Sequence, residues 1–210
     1  MMTPQPKPIL RLEALSNPLW KPFSLTLRGG EICCVTGASG SGKSRFLRAL
    51  ADLEPHQGQV WLNEQSQQAM PAHLWRLKVR LVPAESQWWS DEVADHFPAD
   101  VDPAALEALG LVKEAMHWQV SRLSSGEKQR LALLRALAFP LQVLLLDDPT
   151  ALLNPAETAQ VEAWLMAEAQ RHAWPVLWAT QDLAQAQRVA DKILLIEDDA
   201  IQELPVPQDD

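Results

Sequence analysis

Apolar and polar residues alternate over Ile9–Leu15 and again over Phe23–Arg28, the period of a strand with one buried face. Gly29-Gly30 marks a turn, and Glu31–Thr36 then runs almost wholly apolar, as a strand buried on both faces does. Gly37–Gly42 is rich in glycine and serine and leads into a helix predicted from Lys43 to about Asp52, with Phe46, Leu47 and Leu50 on one face. Gln57–Asn63 and Lys78–Val82 read as further strands. The texture changes from Pro83 to Met116, where Trp88, Trp89 and several acids accompany two short helical patterns, Asp91–Phe97 and Pro103–Leu109. Ser124–Phe139 is a helix whose opening Ser124 and Glu127 fit a capping box. The last third alternates strand and helix: Val143–Leu146, a helix from Pro155 to about His172, Val176–Thr180, a helix over Asp182–Ala190, and Lys192–Glu197.

Apolar strands alternating with helices predict an α/β fold with a mostly parallel sheet, preceded by an N-terminal antiparallel β part. Residues 1–8 carry three prolines and are expected to be a flexible arm. Residues 9–203 form the domain, with a helical subdomain inserted at about 84–140, and residues 204–210 are expected to be a flexible tail.

Composition narrows the partners. The 210 residues carry a net charge of -9, with no basic patch, so a role coating DNA or RNA is not expected. The most apolar stretch, Ala136–Leu146, is interrupted by Pro140 and Gln142 and falls short of the roughly 20 apolar residues a spanning helix needs. The opening MMTPQPKP has no apolar core, so no signal peptide is expected. Cys33 and Cys34 are adjacent within an apolar strand and read as reduced core residues of a cytoplasmic protein. The histidines are scattered without metal-ligand spacing.

Residues Gly37-Ala38-Ser39-Gly40-Ser41-Gly42-Lys43-Ser44 match the phosphate-binding pattern G-x-x-x-x-G-K-[ST], between an apolar strand and a helix as that pattern requires. Glycines let backbone amides turn inward as a nest for anionic oxygens, and the helix N-terminus adds partial positive charge. Lys43 supplies a cation for the β- and γ-phosphates, and Ser44 a hydroxyl ligand for Mg²⁺. Arg45 either adds a phosphate contact or faces solvent. Asp147, at the carboxyl end of the strand Val143–Leu146, is the second expected Mg²⁺ ligand, through water. Together these imply a P-loop NTPase core, a class that still spans small-molecule kinases, GTPases, helicases and transport ATPases.

The stretch Leu123-Ser124-Ser125-Gly126-Glu127-Lys128-Gln129-Arg130 resembles the LSGGQ signature of ATP-binding cassette (ABC) proteins. The order also fits: phosphate loop, helical insert, signature, acid strand, then a strand ending Ala179-Thr180-Gln181-Asp182. The resemblance covers residues 9–203 and is to the ATP-binding subunit of an ABC transporter. It implies ATP and Mg²⁺ as ligands and a head-to-tail homodimer, or heterodimer with another ABC ATPase. In that dimer Ser124, Ser125, Gly126 and Glu127 face the γ-phosphate held by the other subunit. It further implies a separate membrane permease subunit, which places the chain at the inner face of the cell membrane, and no nucleic-acid partner.

Several positions depart from the family pattern. The general base is Asp148 where the family has Glu, one methylene shorter, and the switch His is Gln181, which donates a hydrogen bond but exchanges no proton. The loop after Asp148 ends in Asn154 rather than Asp. The Gln that follows a Val-Pro strand end is Ala84, with Gln87 as a substitute if the loop is rebuilt, and Trp20 is a candidate for stacking on adenine. Trp88-Trp89 lies where the family receives a permease helix, and reads equally as docking surface or core. With catalytic residues Lys43, Asp148 and Gln181, the expectation is a transport ATPase of weak intrinsic turnover. The alternative is an ATP-gated dimerising regulatory module; a small-molecule phosphotransferase leaves Leu123–Glu127 unexplained.

Overall fold

The N-terminal alternation builds a hairpin: β1 (Ile9–Asn17) pairs antiparallel with β2 (Trp20–Arg28) and presents Leu10 and Leu12 to the interior. β1 runs past Leu15 because a bulge interrupts it. Ala14 takes a left-handed φ of 48°, and the register shifts between Leu12 and Leu15, so Leu15 again faces inward. Gly58 lies against this bulge, where a Cβ would come within 2.4 Å of the Ala14 carbonyl oxygen. Only glycine allows that approach.

The structure is a computed structural model describing residues 8–99 and 101–206. Most of the expected arm and tail, residues 1–7 and 207–210, lies outside the described residues. Along the chain follow β3 (Ile32–Thr36), α1 (Lys43–Leu50), β4 (Gln57–Leu62), β5 (Gln65–Ser66), α2 (Ala72–Lys78), β6 (Val79–Val82), α3 (Pro103–Ala108) and α4 (Ser125–Leu137). Then come β7 (Val143–Asp147), α5 (Pro155–His172), β8 (Val176–Ala179), α6 (Leu183–Val189), β9 (Lys192–Glu197) and β10 (Ala200–Leu204).

Two sheets result: a four-stranded one of order β2-β1-β4-β5 and a six-stranded one of order β10-β9-β3-β8-β7-β6. The first is antiparallel, and the second is parallel except for β10 on β9. This is the α/β fold of a P-loop NTPase, with the phosphate loop leaving the middle of the parallel sheet.

The apolar strands sort themselves between two cores by alternation. Cys33, Val35, Leu145 and Leu177 face α1 and the antiparallel sheet, where Phe46, Leu50 and Trp20 lie. Cys34, Leu144, Leu146 and Trp178 face the opposite core, with Leu131, Leu134, Val161 and Trp164 from α4 and α5. Burial pushes both cysteine thiols up, Cys34 to about 12, so they remain protonated apolar fillers.

Four features differ from the sequence expectation. α2 precedes β6 where only a strand from Lys78 is predicted. Its single buried residue is Trp75, whose indole N–H donates to the Leu50 carbonyl (2.8 Å), while Leu74 and Leu77 are exposed. The expected helix Asp91–Phe97 is only a 3₁₀ turn, Ala94–His96. There the buried His96 ring organises the chain instead: its Nε2 accepts from the backbone N–H of Trp89 (3.0 Å) and Ser90 (3.2 Å), and its Nδ1 bonds the Glu92 carbonyl. β5 is an unpredicted two-residue strand. β10 is also unpredicted, and Leu204 pairs with Ile193 within it, so the ordered domain extends one residue beyond the boundary set at 203.

Candidate nucleotide-binding site

Gly37 begins the phosphate loop with φ 145°, and a Cβ there would meet the Ile196 carbonyl oxygen at 2.5 Å and Ser41 Oγ at 2.7 Å. The loop therefore closes only with glycine at this position. Lys43 opens α1 and turns its amine back over the loop, donating to the carbonyls of Gly37 (2.7 Å) and Ala38 (2.9 Å). Burial lowers the Lys43 pKa, and Asp148 and Asp147 oppose that shift. Ser41 Oγ is buried in the loop without a hydrogen-bond partner.

Asp147 ends β7, and Ser44 Oγ donates to its Oδ1 at 2.9 Å. This pair of hard oxygen donors, beside a loop for phosphate, suits Mg²⁺, which takes one or two protein oxygens and completes its shell with phosphate and water. Among the described residues no cluster of three or more His, Cys, Asp or Glu side chains offers a different metal site.

Asp148 follows in the left-handed region, φ 50°, with its N–H donating to the Ala179 carbonyl (3.0 Å). A non-glycine residue held there costs energy and turns its side chain out of the strand direction. Burial, then the neighbouring Asp147, raise the Asp148 pKa, and Lys43 partly offsets them. One cleft of about 240 Å³ brings Lys43, Ser44, Asp147, Asp148 and Gln181 together, with Ser39, Gly40 and Gly42 of the loop at its side. Arg45 also lines this cleft, but its guanidinium is held by Glu54 at 2.7 Å. Ala84 lines it as well, whereas the exposed Gln87 is not part of it and uses its carbonyl to accept from Arg135, so Gln87 does not substitute there.

Trp20 is 2% exposed, edge-on to Phe46 and packed beneath Gly42. It supports the phosphate loop from below and has no free face, so the adenine-stacking expectation is corrected: the alternation of β2 turns this ring inward.

Ser124, Ser125, Gly126 and Glu127 lie outside the cleft, at the start of α4. Ser124 Oγ accepts from the Glu127 N–H (3.2 Å), and the Glu127 carboxylate accepts from the Ser124 N–H (2.8 Å), so the capping box forms. Gly126 faces the loop that follows Asp148, where a Cβ would sit 3.4 Å from the Leu152 carbonyl oxygen. Arg130 fastens this turn, binding the Gly126 carbonyl and pairing with Glu157 of α5 at 3.0 Å. Asn154 caps α5 with a second capping box, so the loop after Asp148 is pinned at its far end. Ser124→Ala removes one cap acceptor and is expected to cost about 1 kcal/mol in urea denaturation of the isolated chain.

Sequence reasoning read Trp88-Trp89 as docking surface or core but missed the groove that Trp89 helps to line. Arg80, Pro83, Trp89, Arg135 and Phe139 line a groove of about 260 Å³. Trp89 is 71% exposed and Trp88 half-buried, and the Arg135 guanidinium lies 4.8 Å from the Trp89 ring centroid and 4.6 Å from that of Trp88. Trp88 packs against the core, and Trp89 stands in solvent. Only the fold brings Arg80 and Arg135 to one groove.

A sequence profile of the ABC transporter family matches residues 20–151. The chain belongs to the ABC transporter family. It is an ABC nucleotide-binding domain. It is 35% identical over 187 residues to an aliphatic sulfonates import ATP-binding protein of Pseudomonas putida, spanning 85% of this chain and 67% of that protein. It is 32% identical over 196 residues to a sulfate/thiosulfate import ATP-binding protein of Synechocystis, covering 88% of this chain and 55% of that one. A bacterial Atm1-family ABC exporter solved with ATP bound shares the fold, with a TM-score of 0.81 at 19% identity over 95% of this chain and 40% of the exporter chain.

Proposed function

We propose that this chain is the ATP-binding subunit of an ABC transporter that binds Mg-ATP in a head-to-tail dimer and couples binding and slow hydrolysis to a separate membrane permease. The observation that carries the reading is the convergence of Lys43, Ser44, Asp147, Asp148 and Gln181 on one cleft at the carboxyl edge of the parallel sheet. In this reading Gly37–Ser44 hold the phosphates while Arg45 stays paired with Glu54, and Ser44 and Asp147 hold Mg²⁺. The Ser124–Glu127 turn serves the nucleotide of the second subunit, a homodimer mate or another ABC ATPase. Bound at Ser44 and Asp147, the metal would neutralise charge on the phosphate oxygens. The domain is residues 9–204, with 84–140 as its helical subdomain. The groove of Arg80, Trp89 and Arg135 would receive the permease at the inner face of the membrane, and the import proteins among the relatives favour an importer.

Asp148 accepts the proton of the attacking water, and the Gln181 amide donates to a γ-phosphate oxygen. The shorter Asp148 side chain, on a left-handed backbone, and an amide in place of imidazole support slow turnover. The test is steady-state phosphate release from Mg-ATP by the purified chain, with slow but measurable release expected. ATP-dependent dimers that release no phosphate above background would overturn the enzyme and favour the regulatory module.

A further inference from the structure

Asp148 and Gln181 stand on loops that leave neighbouring strands, β7 and β8, and then diverge into α5 and α6. A buried polar junction joins the two loops again. Gln185 of α6, 2% exposed, uses both protons of its amide: Nε2 donates to Thr150 Oγ1 at 2.8 Å and to Glu162 Oε1 at 2.8 Å. Thr150 lies two residues beyond Asp148 and is itself buried. Glu162 of α5, 5% exposed, is completed by Arg188, which donates from Nε (2.9 Å) and from its second terminal nitrogen (2.7 Å). Gln185 is also tied back to the Gln181 segment. Its N–H donates to Asp182 Oδ1 (3.1 Å), and the Asp182 N–H donates to Thr180 Oγ1 (3.1 Å).

Apolar side chains would fill this space without the desolvation that a buried carboxylate and amide incur. What apolar packing does not supply is direction: a bidentate donor between two fixed acceptors sets position, not merely volume. The junction sits where position matters, since Thr150 carries the loop of the proposed base and Asp182 follows the group proposed to face the γ-phosphate. Burial alone would raise the Glu162 pKa, but hydrogen bonds from Arg188 and Gln185 outweigh it and hold the group ionised.

We propose that Gln185 is a positioning residue for hydrolysis: by clamping Thr150 against α6 it makes the Asp148 loop and the Gln181 segment one unit. The inference rests on the hydrolysis reading above. Gln185→Leu keeps the volume and removes both donors, and Thr150→Val cuts only the tie to the loop. Each is expected to lower kcat by about 10-fold to 100-fold, with KM changed by less than about twofold. Thr150→Ser keeps the hydroxyl that accepts from Gln185 Nε2, so its kcat should stay within about threefold of the parent. Amide hydrogen exchange on the full chain supplies a readout independent of turnover. Segments 148–153 and 181–185 should both exchange about tenfold faster in Gln185→Leu and Thr150→Val, and stay at the parent rate in Thr150→Ser. Unchanged kcat in folded Gln185→Leu or Thr150→Val overturns the proposal. So does a kcat in Thr150→Ser that falls as far as in Thr150→Val, or loosening of one segment alone. Absence of phosphate release from the parent chain would instead sink the hydrolysis reading, and the exchange data would still decide whether Gln185 joins the two segments.

Discussion

Lys43→Ala abolishes the stabilisation of this chain by Mg-ATP and lowers phosphate release at least about 10²-fold to 10³-fold. The amine donates to the Gly37 and Ala38 carbonyls and stands where the loop would present phosphate oxygens, so its removal takes both a loop tie and a cation from the site. The effect on the nucleotide-free chain is of the opposite kind. Burial lowers the Lys43 pKa, so the folded chain binds this proton less well than the unfolded chain does. Stability then rises with pH through that alkaline window, and at neutral pH the buried charge opposes folding. Without nucleotide the lost loop ties and the relieved buried charge act in opposite directions, so the variant should melt close to the parent, while losing the rise in Tm that ligand binding brings. At a hundredfold excess over Kd that rise corresponds to about 2.7 kcal/mol. Thermal melts of both chains with and without Mg-ATP decide the matter: an undiminished ATP-dependent shift in Lys43→Ala contradicts the assignment of the loop.

Asp148→Asn separates catalysis from stability in the same way. As the proposed base, Asp148 must be ionised, and its pKa is raised by burial and by Asp147. Turnover of the parent should rise with pH through a point above the ordinary aspartate range, and Asp148→Asn should lose about 10²-fold to 10³-fold in rate together with that dependence. A carboxyl whose folded pKa lies above its unfolded value binds more protons when folded, so folding stability falls as pH rises through the interval. At neutral pH the ionised Asp148 thus opposes folding, and Asn, isosteric and uncharged, should leave the nucleotide-free chain as stable or more stable. Phosphate release measured across pH, beside urea denaturation at neutral pH, tests both halves. A variant that keeps its rate, or a parent with no pH dependence above the aspartate range, removes Asp148 from the role.

The phosphate loop and the signature turn were legible because each is a local arrangement. Gly37–Ser44 carries its chemistry in backbone angles and adjacent side chains, and the Ser124–Glu127 box closes within one helical turn. The buried strands were legible for a related reason, since β3, β7 and β8 announce two buried faces by unbroken apolar runs. α2 was not legible, because a helix that buries only Trp75 has no apolar stripe to betray its period. The 3₁₀ turn Ala94–His96 was missed because the His96 ring, rather than periodicity, organises the backbone around it. Trp20 shows the limit from the other side: its type suits a stacking surface, and only the register of β2 turns it under Gly42.

The sequence by itself therefore determined the class of the fold, the glycine-rich loop before α1 and the carboxylates at the carboxyl end of β7, all properties of neighbouring residues. The tertiary structure alone decided which distant groups share a space. It joined Ser44 to Asp147 across 103 positions, gathered Arg80 and Arg135 at one groove, and set Gln185 between Thr150 and Glu162. Periodicity tells a side chain which way to face. Which partner it meets depends on the strand order and register of the whole sheet, which no local stretch contains.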